Sequence, residues 1–197
     1  MMELAANTSR SVTEETVEMS ADEKFLFDLV GFVVVRDVLS KQQLQVANAA
    51  IDSLELNQSP EYFGDSAALK GDNRSNRLGV DENLLELPKP LCDPFREMLA
   101  HPNTIPHLNT ILGEGWRLDH GPGLIAMDKG CSGGMLHGNF DNAPYFYREG
   151  KIFTGLCVIE YLLADEGPGD GGVSVVPGSH KANLACPKKM LRWERYQ

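Results

Sequence analysis

The apolar positions of this chain change period along its length: helical spacing dominates up to about Gly113, and strand-like alternation follows. Phe25, Phe27, Leu29 and Val30 make a short amphipathic segment that begins at Ala21. It runs into Gly31-Phe32-Val33-Val34-Val35, whose β-branched residues favour a strand. Ser40-Lys41-Gln42-Gln43 has the form of a capping box, and Leu44, Ala47, Ile51 and Leu54 follow at spacings of three, four and three, which marks one helical face. Pro94 opens a helix carrying Phe95, Met98 and Leu99. Pro102-Asn103-Thr104 starts another with Ile105, Leu108, Ile111 and Leu112, ended by Gly113. From Trp116 the β-like runs begin: Leu124 to Met127, Met135 to Asp141, Ile152 to Leu163 and Gly171 to Val176, broken by Gly and Pro turns. The two proline-opened helices are expected to buttress these strands, and Lys188 to Tyr196 reads as a helix-like tail.

Residues 1–20 are rich in Thr, Ser, Glu and Ala and bury too little apolar surface to offset the entropy of ordering, so a disordered tail is expected before one domain over 21–197. Asn57 to Asn83 is polar and broken by glycine, a long connection. A net charge of -10 argues against nucleic acid or an anionic membrane as a partner, because the phosphate-driven attraction needs a basic surface. Cys92, Cys131, Cys157 and Cys186 form no CxxC pair, which suits a reduced, cytoplasmic protein. The longest apolar run, Gly155 to Ala164, is about half a membrane span and is interrupted by Glu160. The acidic N-terminus matches neither a secretory signal nor a transit peptide.

The chemistry centres on Met135-Leu136-His137-Gly138-Asn139-Phe140-Asp141. On a strand, His137, Asn139 and Asp141 would point one way and Leu136, Gly138 and Phe140 the other, so one imidazole and two oxygen-bearing side chains would line one wall. Other candidates are weaker. His101 and His107 have no second ligand at workable spacing and suit a surface or core role. Asp119 and His120 are adjacent, so on a strand they would face opposite sides, leaving His120 as a possible wall of the site. Arg74 and Arg77 could meet an anionic group, although solvated loop charges are the commoner case. Tyr145, Phe146, Tyr147 and Arg148 read as part of a loop over the mouth, whose rings could bound a substrate or anchor the loop to the core. A zinc hydrolase lacks its HExxH or Cys/His cluster.

His137-Gly138-Asn139, the apolar run holding Glu160, the turn Gly167-Pro168-Gly169-Asp170-Gly171-Gly172 and Pro177-Gly178-Ser179-His180-Lys181 together resemble the phytanoyl-CoA dioxygenase family, over about Phe25 to Pro187. The likeness is closest to a branch with a Leu-His-Gly-Gly motif. The resemblance implies a mainly β fold with flanking helices, a double-stranded β-helix or jelly roll. It also implies Fe(II) and 2-oxoglutarate as cofactor and co-substrate, and oxidation of a small organic substrate.

Such iron sites use two histidines and a carboxylate, leaving positions for 2-oxoglutarate and oxygen. Here Asn139 stands where the family's His-x-Asp motif has aspartate. Asp141 could substitute, although two strand residues span about 7 Å. Alternatively the position stays open, as in halogenating relatives, or the site uses no iron. In the family the second metal histidine and a 2-oxoglutarate-binding arginine follow the Pro-Gly-Ser-His turn, and the chain ends at Gln197 before any such pattern. The expectation is a partial β-helix, incomplete at the C-terminus, with half an active site. His180 imitates a second ligand, but in the family it belongs to a structural turn. The reading is therefore an iron- and 2-oxoglutarate-dependent dioxygenase with His137, Asn139 and Asp141 at its site and His137 on the metal. The alternative is a non-catalytic β-helix module that binds without redox chemistry.

Overall fold

Two serine caps and a pair of prolines set where the helices begin. The computed structural model describes residues 18–54, 77–80, 84–127, 136–138, 144–167 and 172–190. Helix α1, Ala21–Val30, starts at a complete capping box: Glu23 N–H donates to Ser20 Oγ at 3.2 Å, and Glu23 Oε2 accepts from Ser20 N–H at 2.8 Å. It ends at Gly31, whose left-handed backbone (φ 88°) lets its N–H reach Phe27 O at 2.8 Å. Helix α2, Lys41–Asp52, carries the box read from Ser40 and Gln43, with both hydrogen bonds present. Helices α3, Asp93–Leu99, and α4, Ile105–Leu112, each have proline in the first turn, where the missing N–H has no intrahelical partner to lose.

The core is helical. Ala47 and Ala50 of α2 meet Phe95 and Met98 of α3 and Leu84 in one cluster, and Leu39, Ile51, Leu91, Tyr161 and Leu163 pack around it. A second cluster joins Met19 and Phe27 to Ile111 of α4, with Val33, Tyr145, Ile152 and Cys157 alongside. Each fully buried large side chain contributes about 1.5–3 kcal/mol relative to exposure.

This overturns the expectation of a mainly β jelly roll. Among the described residues the strands form two separate antiparallel pairs. Strand β1, Arg77–Val80, pairs with β2, Leu124–Met127, and β3, Phe146–Arg148, pairs with β4, Lys151–Phe153. Residues 32–35 and 155–163, both within stretches expected as strands, belong to no ladder, nor do 172–177. A β-helix needs each inner strand hydrogen-bonded on both sides. Run 155–163 instead lies on helices: Asn48 Nδ2 donates to Leu163 O at 2.8 Å, and Tyr161 Oη donates to Met98 O at 2.7 Å. Cys157, Tyr161 and Leu163 pack on the two clusters, while Val158, Glu160 and Leu162 are exposed; Ile159, between Cys157 and Tyr161, is exposed as well and breaks the alternation.

Candidate functional site

The outward face of 155–163 carries the residues with chemistry. His137 is exposed and is followed by Gly138, whose φ of 134° is a conformation open to glycine and rarely to other residues. His137 lies close enough to Glu160 for its charge to act on that carboxyl. Burial pushes the Glu160 pKa above its ordinary value, repulsion from Glu166 adds to the rise, and His137 opposes it. Glu166 in turn sits over Gly172 (φ 91°), where a Cβ would collide with Glu166 Oε2. The Glu160 carboxyl thus feels the charge of one imidazole and of one other carboxylate, each from a separate stretch of the chain. Glu160 had been visible as the polar residue inside an apolar run. Glu166, in a Gly/Pro turn, gave no such signal.

Asn139 and Asp141, the other two site residues expected from the sequence, lie outside the described residues, as does Arg74. Arg77 falls in β1, of which only the backbone is described.

His180 does not serve as a second metal ligand in this arrangement. Its Nε2–H donates to Asp28 O at 3.1 Å, and its Nδ1 is buried with no partner, packed where a Cβ on Gly31 would strike the ring. Tyr145 meets it edge-on at 4.6 Å. Around this joint Asp28 accepts from Tyr145 Oη at 2.7 Å and from Lys181 Nζ at 3.3 Å, and Gly178 N–H donates to Val30 O at 2.8 Å. The hydrogen bond from Tyr145 is the main cause that holds the Asp28 carboxyl below its ordinary pKa, and burial holds the His180 imidazole below its own. The Pro-Gly-Ser-His turn is therefore a fastening onto the C-terminal end of α1.

The remaining histidines divide cleanly. His101 and His107 are buried, His101 accepting from Asn103 N–H at 3.3 Å on Nδ1, with burial lowering its pKa. His120 is exposed in a loop and contacts Asp119 Oδ2 at 3.3 Å, so the two neighbours meet rather than diverging as they would on a strand. The expected loop over the mouth contains a hairpin: Glu149 (φ 53°) and Gly150 (φ 81°) turn β3 into β4. Tyr145 anchors its base, whereas Phe146 stacks on Phe153 at 4.9 Å and Tyr147 points to solvent.

Whether this set can hold iron is decided by its donors. His137 is of a type that can serve as one ligand and its charge acts on Glu160, but among the described residues no three His, Cys, Asp or Glu side chains come together to hold a metal ion. The described residues thus do not complete the site that the sequence resemblance implies. Comparison of the chain with family models, curated proteins and solved structures found no match. Among the described residues no helix is long and apolar enough to cross a membrane.

Proposed function

We propose that the chain belongs functionally with the iron- and 2-oxoglutarate-dependent oxygenases, acting on a small organic substrate, with His137 as a metal ligand. The reading rests on the sequence motifs of the phytanoyl-CoA dioxygenase type. The observation that carries it is that His137 and Glu160, 23 positions apart in the chain, are both exposed and near enough for the imidazole to act on the carboxyl. In that reading Fe(II) with 2-oxoglutarate supplies the oxidising chemistry when bound. The chain's own part is to offer the His137 ring nitrogen and to set a partly desolvated carboxyl beside it. Such a carboxyl keeps its proton to higher pH than a free glutamate, so it can serve as hydrogen-bond donor or acceptor across a range where an ordinary one is only an acceptor.

The test is an anaerobic Fe(II) titration of the whole chain with 2-oxoglutarate present, followed by admission of oxygen and measurement of succinate. The expected result is oxygen-dependent succinate release and at least about tenfold weaker iron binding in His137→Ala. A folded chain that binds no iron and releases no succinate overturns it.

That negative outcome would favour a second reading, a binding module without redox chemistry. One observation supports it: Val158, Leu162, Val173 and Val175 present apolar side chains to solvent, at 68%, 52%, 57% and 45% exposure.

A further inference from the structure

Helix α1 is held at its C-terminal end by the His180 turn, and a different device holds its start. Glu23 and His107 meet between α1 and α4 with side chains 13% and 6% exposed. Glu23 Oε2 is already taken by Ser20, accepting from its N–H at 2.8 Å and its Oγ–H at 2.7 Å. Glu23 Oε1 faces His107 Nε2 at 3.3 Å, and the other ring nitrogen, Nδ1, faces the backbone oxygen of Asn103 at 3.1 Å.

A carboxylate oxygen and a carbonyl oxygen are both acceptors, so both contacts are hydrogen bonds only if both ring nitrogens carry protons. A neutral imidazole has one N–H and must leave one contact as a buried meeting of two acceptors. We propose that Glu23 and His107 form a proton-operated latch, in which doubly protonated His107 fastens the start of α1 to α4 and loss of one ring proton releases it. Helix α4 carries no other charged residue, and Glu23 is the charged group recorded against His107 among the described residues. Release would uncover Met19, which is 1% exposed and packs with Phe27 and Ile111.

Glu23 gives the latch an acid limit. Burial pushes the Glu23 carboxyl up, but the Ser20 hydrogen bonds and His107 outweigh it and hold the pKa below the ordinary 4.5. A lowered acid contributes stability that is lost as pH falls through its folded value, so the acid limit lies below 4.5.

Two measurements test this on the whole chain. Ring nitrogen NMR of the unaltered protein at neutral pH should show both nitrogens of His107 protonated. Amide-exchange protection factors in α1 should fall at least about tenfold as the solution is made alkaline. In Glu23→Gln the amide can accept from Ser20 through its oxygen and donate to a neutral His107 through its nitrogen, so the alkaline fall should vanish. A His107 with one bare ring nitrogen at neutral pH overturns the latch, whether or not the variant folds. An alkaline fall that persists unchanged in a folded Glu23→Gln chain overturns it too.

Discussion

Gly31 shows how one position carries two demands that a sequence displays separately. As a residue it closes α1 in the left-handed region at φ 88°, and as a surface it leaves room for the His180 ring from a turn about 150 positions away. An alanine there would suffer both the backbone strain and a Cβ driven into a buried imidazole whose Nδ1 already lacks a partner. Gly115 has nearly the same backbone, φ 84°, with nothing within 4 Å of a built Cβ. Gly115→Ala should therefore cost only the backbone part, about 1 kcal/mol, and Gly31→Ala about 2 kcal/mol or more. Urea unfolding of both variants checks this, and equal losses would mean that the ring is not seated on the helix end. The sequence places Gly31 between a helical segment and an apolar run, so the helix end is legible there. The seat it leaves for the His180 ring is not.

At the scale of elements, the hairpin Phe146–Phe153 was hidden by its turn. Two-residue hairpin turns of this kind need positive φ at both positions, and Asn-Gly is the usual signature. This chain uses Glu149-Gly150, a pair that reads as ordinary loop sequence. Glu149→Asn should relieve the left-handed strain at φ 53° and raise stability by about 0.5–1 kcal/mol, seen as a higher melting temperature. The lost contact of Glu149 with Arg148 is between side chains more than 70% exposed and offsets little. The helices were more legible, because their signals are local. Ser40 and Gln43 sit three residues apart, Pro94 falls in a first turn, and Gly113 follows the last apolar residue of α4, although that helix starts at Ile105 rather than at the expected Pro102. Strand signals state only a preference. The apolar run through Cys157, Tyr161 and Leu163 does pack on the core, but ladder partners are chosen by distant chain, and here helices α2 and α3 take that place. The candidate site divides the same way. His137 stood out by its motif, whereas its influence on Glu160, and the duty of His180 at α1, depend on long-range neighbours that no local pattern records.

For the whole molecule, the disagreement between a β-helix and a helical core comes down to what covers the second half of the chain. In a closed sandwich, one face of 155–163 and of 172–177 would be buried against a second sheet. In this structure Val158 and Val175 are exposed while Ala47, Phe95 and Met98 make the interior. Lysine has opposite consequences in the two cases. On an exposed face Val158→Lys and Val175→Lys should each change stability by no more than about 0.5 kcal/mol and should lower binding of an apolar dye. Inside a sandwich each would bury an unpaired ammonium and cost several kcal/mol. Val33, packed against the second cluster, supplies the internal comparison, since Val33→Lys should destabilise the chain in either arrangement. If all three variants lose stability alike, the outward faces of 155–163 and 172–177 are covered in solution. The helices would then be one layer of the core rather than the whole of it.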